Sequence, residues 1–441
     1  MIKKISRYSC IGVIACFMSL VNLSIVLAEE EVLRISLKDA ITMAIKASED
    51  IQIQDNEVAR SNFQMQAEKS ELFPHVYVSS NWSRNFEYPN IPATAAKKEY
   101  DFNTGVTLEQ KLLTFGRVFF PILAAREKIK VNQWNREASE QEIIYITKLA
   151  YYDVYFAKRI LKIAQASYEL SQENKDILDQ RSAQGRVSKY DNIRISANIA
   201  ARKPTVNNAQ ANYYSAIETL KVAVGAKPAA KIELTEGFLD EYQPLERDEL
   251  VLALYNNQPS IKALAKTIEE KEYLIKSKRA AYYPEISAFA TWNHQGTSND
   301  YKVDDENLED YGVAGLKVNI PIFTGGKTSA ELHQAKIDKQ NAELMYQKDR
   351  KNYLLQLDKA LSEYREYVKT LEANQEAVRL AQESFNLSQD LFRSGQISVN
   401  DLNDAELGLT NQKIGKETTL FNINITLAKI KKLAVTEAIS E

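Results

Sequence analysis

The sequence predicts a mainly α-helical fold with a smaller β portion, built from one structural unit that is used twice. Three observations lead to this prediction. Short motifs recur at a constant separation of 210 residues, and two pairs of alternating segments are as long as membrane-crossing strands. Two stretches of roughly 68 residues also keep a helical pattern, long enough for helices of about 100 Å.

The repeat is visible in three separate motifs. Pro74, followed by Trp82, recurs as Pro284, followed by Trp292. The same separation relates Thr114-Phe115-Gly116-Arg117 to Thr324-Gly325-Gly326-Lys327, and Gly185, Ser188 and Asp191 to Gly395, Ser398 and Asp401. Three motifs in one register indicate a duplicated unit.

The first 28 residues are typical of a secretory signal peptide. Basic residues precede an apolar run, and small residues ending at Ala28 provide a cleavage site. An uncleaved membrane anchor is the alternative, although the run is barely long enough to span a bilayer. Both cysteines, Cys10 and Cys16, lie in this segment, so we expect no disulfide and no thiolate metal site in the mature chain.

The composition indicates a folded and mildly acidic protein. The chain has 441 residues, of which 44% are hydrophobic, and a net charge of −3. Loss of the three basic residues of the signal leaves 53 basic against 59 acidic residues, a net charge of −6. Because nucleic acid is a polyanion, we expect it to be no partner of this chain.

Two segments in each unit alternate between apolar and polar side chains. The apolar faces consist of Val76, Val78 and Trp82, then Phe102, Thr104, Val106 and Leu108, and in the second unit Ile286, Ala288, Ala290 and Trp292, then Ala314, Leu316, Val318 and Ile320. Each segment has about 10 residues, enough to cross a bilayer as a tilted strand. A small soluble sheet is the alternative.

Four such strands cannot close a membrane-spanning barrel, for which about eight are needed. An open sheet edge in lipid leaves backbone groups without hydrogen bonds. If the strands cross a membrane, several chains must therefore share one barrel.

Long helical patterns follow each second strand. Apolar residues recur every seven positions, which predicts helices wound about one another as coiled coils. These residues are Leu149, Phe156, Ile163, Leu170 and Ile177 in the first helix, and Leu357, Tyr364, Leu371, Val378, Phe385 and Phe392 in the second. Shorter helices are expected over about 37–72, 188–224, 248–281 and 398–434, with Pro204 interrupting and kinking the second of them.

A turn ends each long helix. Gly185 and Gly395 fit the left-handed residue after a helix, and Ser188 and Ser398 fit the N-cap of the next helix. Asp191 and Asp401, three residues on, are expected to complete capping boxes. Each turn should lie a full long helix away from the strands.

These predictions divide the chain into five parts. A signal peptide at 1–28 precedes the first repeat at 29–225, a linker at 226–246, the second repeat at 247–434 and a tail at 435–441. Strands are expected at about 75–88, 101–112, 285–294 and 311–322, long helices at 117–184 and 327–394, and turns at 185–188 and 395–398.

In this ordered, twice-repeated set the mature chain resembles the TolC-like outer-membrane efflux proteins. The shared features are the proline-led strand pairs, the Gly116-Arg117 and Gly326-Lys327 junctions, the long helices and the Gly-x-x-Ser-x-x-Asp turns. The resemblance implies a homotrimer in which twelve strands form one transmembrane β-barrel, continued by an α-helical tunnel through the periplasm. It also implies contact with outer-membrane lipid and docking onto a periplasmic adaptor and an inner-membrane transporter of the ABC, RND or MFS type. The implied activity is drug efflux or type I protein secretion.

The same resemblance implies a gate and a docking surface. Family members narrow the tunnel with an Asp-x-x-Asp pattern after the second turn, which Asp401 and Asp404 match here; Asp191 and Arg194 hold the equivalent positions of the first unit. Arg194 is a candidate partner of Asp404 in the closed state, whereas solvated or capping aspartates are the alternative. The residues expected to touch the adaptor are those of the turns, Gly185, Arg186, Val187, Ser188, Gly395, Gln396, Ile397 and Ser398.

No group of residues in this sequence is typical of a catalytic site. The histidines His75, His294 and His333 are far apart, and no glycine-rich phosphate loop follows a strand. We therefore expect neither an enzyme nor a cofactor nor a metal site. A periplasmic adaptor and a soluble coiled-coil scaffold are the alternative classes; the first should have a single helical hairpin, and the second leaves the strands unexplained.

Overall fold

The computed structural model describes residues 32–86, 98–183, 188–239, 242–301 and 308–436. The predicted signal peptide, the turn residues Gly185, Arg186 and Val187, and the last residues of the predicted tail lie outside these ranges.

The order of elements repeats. The first unit contains β1 (Val32–Ile35), α1 (Leu37–Ala47), α2 (Glu49–Ser70), β2 (His75–Arg84), β3 (Tyr100–Leu113), α3 (Phe119–Ala183) and α4 (Lys189–Val224). After β4 (Lys231–Leu234), the second contains α5 (Arg247–Asn257), α6 (Pro259–Ala280), β5 (Glu285–Ser298), β6 (Leu308–Asn319), α7 (Lys327–Ser394) and α8 (Val399–Ala434). The mainly α fold with two strand pairs is as predicted.

The four long strands form one antiparallel sheet in the order β2-β3-β5-β6. The first hairpin thus joins the second through β3 and β5, and β2 and β6 are its two edges. The strands start directly after Pro74 and Pro284, where a missing N–H breaks no ladder bond.

A second, two-stranded sheet was not predicted. β1 and β4 pair in parallel with Ile35 opposite Leu234, so the segment 226–246 is more than a linker. Ile35, Tyr151, Leu220 and Ile232 belong to one buried cluster that includes this sheet. The pairing ties the start of the described chain to the junction between the two units.

Two of the shorter helical predictions were wrong in detail. The stretches 37–72 and 248–281 are each split into two helices, at Ser48 and at Gln258. Ser48 accepts a hydrogen bond from the Ile51 N–H as an N-cap, and Pro259 disfavours helical backbone at the residue before it. Pro204 does not interrupt α4, which runs through it to Val224.

The long helices pack in pairs, α3 with α4 and α7 with α8, and α3 also lies against α8. The seam predicted for α7 is confirmed at Leu357, Tyr364, Leu371, Phe385 and Phe392, which are buried, whereas Val378 is half-buried. In α3 the buried seam lies one residue beyond the prediction, at Ala150, Ala157, Ser171 and Leu178. Small residues allow close helix approach there, and the predicted Phe156 packs at the flank against Phe421. Among the described helices none has the length and apolarity that a transmembrane helix requires.

Candidate functional site

The long sheet has one apolar and one polar face. Paired residues form rows that cross all four strands. On one face, one row consists of Val78, Val106, Trp292 and Gly312, and the neighbouring row consists of Val76, Leu108, Ala290 and Ala314. The opposite face reads Asn81, Asn103, Gln295, Glu309 and Ser79, Gly105, Asn293, Tyr311. An apolar outer face with a polar inner face is the pattern of a strand between lipid and an aqueous lumen.

One polar row lies on the apolar face. Ser80, Thr104, His294 and Asp310 are paired across the sheet, between the rows of Trp292 and Phe102. His294 Nδ1 lies 2.5 Å from Asp310 Oδ1, and the Ser80 and Thr104 hydroxyls are 2.8 Å apart. Each polar group thus has a partner, which lowers the cost of placing it at an apolar surface.

The junctions between strand and helix use the predicted glycines. Gly116 and Gly326 have φ of +96° and +83°, in the left-handed region that glycine tolerates. Phe115 has φ of +49°, which is strained for a bulky residue, and its ring stacks on Tyr283 at 5.4 Å. Aromatic side chains therefore gather where the sheet meets the helices, as at a membrane interface.

The second turn has the predicted geometry. Gly395 has φ of +82° and ends α7, and Ser398 begins α8. Asp401 Oδ2 accepts hydrogen bonds from the Ser398 N–H at 2.9 Å and the Ser398 hydroxyl at 2.7 Å. The Asp401 N–H donates in return to Ser398 Oγ at 3.3 Å, which completes the predicted capping box. The bonds from the Ser398 hydroxyl and N–H hold the pKa of Asp401 below its usual value. Gln396 is exposed, and Ile397 packs against a buried cluster at the end of the hairpin.

The first turn is described only from Ser188 onward. The Asp191 N–H donates to Ser188 Oγ at 3.1 Å, and that hydroxyl donates to Asp191 Oδ2 at 2.6 Å. Among the described contacts the return bond from the Ser188 backbone is missing, so the box predicted here is only half formed. The Gly185 prediction lies outside the described residues.

Asp401 and Asp404 lie on the same exposed face of α8. One helical turn separates them, and Leu402, Glu406 and Leu409 are buried on the opposite face. Both carboxylates therefore point away from the core of the chain. Arg194 lies on Tyr190 instead of Asp404: its Nη1 is 3.4 Å from the Tyr190 hydroxyl and its guanidinium 5.9 Å from the ring centre.

A buried polar layer that the sequence did not predict joins three helices near these turns. Arg202 of α4 forms an ion pair with Glu406 of α8, and Arg202 Nη2 donates to Asn403 Oδ1 at 2.8 Å. Ser167 and Ser171 of α3 donate to Glu406 Oε1 at 3.0 and 3.2 Å. Glu406 is only 3% exposed. Glu406 lies seven residues after the buried Val399, and this coiled-coil spacing is the sequence signal that indicates a core position for it.

The comparison with known protein families agrees with this two-unit architecture. A sequence model of the family described as outer membrane efflux protein matches residues 40–226 and 250–432, one match in each unit. The outer membrane efflux protein BepC of Brucella suis biovar 1 (strain 1330) is 24% identical over 378 residues, 85% of this chain and 74% of that protein. The alkaline protease secretion protein AprF of Pseudomonas aeruginosa PAO1 is 22% identical over 326 residues, 70% of this chain and 66% of that protein.

Solved structures agree with this fold. The Campylobacter jejuni CmeC outer membrane channel superimposes with a TM-score of 0.78 at 18% identity, over 90% of this chain and 85% of that one.

Proposed function

Because this chain belongs to the outer membrane efflux protein family, we propose that three copies assemble into one outer-membrane channel that continues through the periplasm as a helical tunnel. It passes substrates from an inner-membrane transporter and a periplasmic adaptor to the cell exterior, in efflux or in type I secretion. The transporter is of the ABC, RND or MFS type, and the twelve strands of the trimer contact outer-membrane lipid.

The observation that carries this proposal is the open four-stranded sheet. Its edge strands β2 and β6 have no strand beside them on their outer sides among the described residues. In lipid those edges would leave backbone groups unpaired, and each such group costs several kcal/mol. Strand directions alternate from β2 to β6, so β6 of one copy meets β2 of the next in antiparallel order. Repetition around a threefold axis then closes the sheet.

The long helices support the same assembly. Large apolar side chains remain exposed on α7 in the single chain, at Ile337, Leu344, Met345, Leu355, Leu380 and Leu387. Two pairs of them are seven residues apart, as in a coiled-coil seam. Neighbouring copies of the chain would cover this stripe and so form the wall of the tunnel.

The second turn and the start of α8 form the proposed docking and gating end. Three copies gather six carboxylates from Asp401 and Asp404 on exposed helix faces. Crowded carboxylates in a narrow passage concentrate cations. Asp191 and Arg194 hold the equivalent positions of α4, and we propose that Arg194 moves from Tyr190 to Asp404 of its own or a neighbouring chain when the passage closes.

The assembly is tested on protein extracted from outer membranes. Light scattering in detergent should give three chain masses, and cysteine pairs scanned along β2 and β6 should crosslink between chains at one register. A stable monomer in detergent, or crosslinks only within one chain, would rule out the trimer.

The gate is tested in planar bilayers. Asp401→Asn/Asp404→Asn channels should lose cation selectivity and block by multivalent cations, and Arg194→Ala should raise the resting conductance. Glu372→Gln is the matched control, because it removes an exposed carboxylate from α7. If the double variant keeps wild-type selectivity and block, the two aspartates serve only as a cap and a surface residue.

Docking is tested by cysteines at Gln184 and Gln396, which should crosslink to a periplasmic partner in actively transporting cells. The proposed contact residues are Gly185, Arg186, Val187, Ser188, Gly395, Gln396, Ile397 and Ser398. Absence of any crosslink during active transport would contradict this assignment.

A further inference from the structure

Arg181, in the last turn of α3, reaches across to the end of α7, 211 residues further along the chain. Its Nη1 donates to the Phe392 carbonyl at 2.8 Å and its Nη2 to the Arg393 carbonyl at 3.0 Å. The last carbonyls of a helix lack partners within the helix. The guanidinium therefore gives the Arg393 carbonyl a partner and the Phe392 carbonyl a second donor, in a helix that belongs to the other structural unit.

The positive charge of the guanidinium and the apolar ring beside it also favour this contact. A cation at a helix C-terminus is stabilised by the helix dipole. The guanidinium lies 5.4 Å from the centre of the Phe392 ring, which is 2% exposed. Leu178, one turn before Arg181, is 1% exposed and belongs to the same buried cluster. The last turns of α3 and α7 are thus joined by polar and apolar contacts together.

Gly395 fits this arrangement for a second reason besides its backbone angle. A Cβ at this position would lie 3.0 Å from Arg181 Nη2. The absence of a side chain therefore lets the guanidinium lie against the turn. The Gly395 N–H completes the end of α7 by donating to the Phe392 carbonyl at 2.9 Å, and the Gln396 N–H donates to the Leu391 carbonyl at 2.9 Å.

We propose that Arg181 is a positioning residue that clamps the second turn to the end of α3, so that the turn presents a fixed surface to its partner. The surface consists of Gly395, Gln396 and Ile397, and the partner it fits is the adaptor; that part rests on the proposed docking function. Clamping requires a planar donor pair, because two carbonyls are bonded at once. A lysine at the same position supplies charge without this geometry.

Hydrogen exchange of the trimer in detergent, followed by mass spectrometry, tests the clamp without any adaptor. In Arg181→Ala the amides of residues 393–398 should exchange at least fivefold faster, while amides around Leu371 keep their rate. Arg181→Lys should remain close to Arg181→Ala. Arg379→Ala is the matched control, since Arg379 pairs within α7 with Glu376 and Glu383.

A second measurement separates positioning from general weakening. Single channels of Arg181→Ala in planar bilayers should open more often, and Arg181→Lys should not restore the wild-type frequency. The clamp is wrong if the exchange of residues 393–398 is unchanged in Arg181→Ala, or if Arg181→Lys behaves as wild type in both assays. Failure of the docking proposal would instead leave these results intact and abolish only the crosslink from Gln396.

Discussion

Replacing Arg202 by methionine removes the cation of the buried polar layer and leaves Glu406 without a charged partner. In the ion pair the Arg202 side chain is 12% exposed and that of Glu406 is 4% exposed, so water cannot readily replace the guanidinium. Only the hydroxyls of Ser167 and Ser171 would still donate to the carboxylate. Breaking a buried pair on one side costs about 3–5 kcal/mol. We expect Arg202→Met to destabilise the helical region by this amount.

The double variant Arg202→Met/Glu406→Met should behave differently. Removing both charges also removes the desolvation penalty of each, so replacement of a whole buried pair is often neutral or stabilising. Here it also removes the hydrogen bond that Asn403 accepts from Arg202 and those that Ser167 and Ser171 donate to Glu406. We expect the double variant to lie within about 1–2 kcal/mol of the wild type, because the desolvation penalty that is removed offsets the lost hydrogen bonds, each of which contributes about 1 kcal/mol.

Thermal unfolding of the detergent-solubilised trimer, followed by circular dichroism at a helix band, measures both variants. The single variant should melt at a clearly lower temperature and the double variant should recover most of the difference. Arg379→Ala, which removes an exposed arginine of α7, should have the same melting temperature as the wild type. A double variant destabilised by the sum of Arg202→Met and Glu406→Met alone would refute the reasoning, because the two charges would then not be coupled.

Three further predictions concern single positions. Gly395→Val should strain a left-handed residue by about 1–2 kcal/mol and accelerate amide exchange at the turn, while trimer yield in the membrane stays the same; an unchanged turn would contradict the left-handed assignment. Burial lowers the pKa of Lys148 to about 8, with nearby Lys431 adding to the effect. Between about pH 8 and 10.5 the unfolded chain then binds more protons than the folded chain. The free energy of unfolding should therefore rise with pH across that window, by up to about 3 kcal/mol. Lys148→Met should abolish this rise in pH-dependent melts, and an equal rise in both proteins would exclude Lys148 as its source. Ser398→Ala should destabilise the start of α8 at neutral pH, and the difference from wild type should shrink in acid, as Asp401 is protonated; amide exchange of residues 399–404 at pH 7 and pH 3 measures this, and a pH-independent difference would argue against the capping box.

Much of the site was predictable because its signals are local in the chain. The left-handed glycine, the serine cap and the aspartate three residues later are neighbours in sequence, so local backbone preferences are enough to assign Gly395, Ser398 and Asp401 to one turn. Asp404 follows from the same spacing, since one helical turn sets its face. The position of Arg194 on Tyr190 did not follow, because many acceptors lie within reach of a long cationic side chain.

The sequence by itself determined the duplicated order of strands and long helices, since alternation, seven-residue spacing and cap residues each act within a few residues of backbone. Only the tertiary structure decided which distant segments meet. Strands β1 and β4 pair across about 200 residues, and Arg181 and Arg202 find partners 211 and 204 residues away. The seam of α3 was likewise decided by packing, because close approach to α4 favours Ala150 and Ala157 over the larger side chains beside them. Local backbone preference depends on adjacent residues. A long-range contact depends instead on the shape and charge of two surfaces that exist only after the helices have come together.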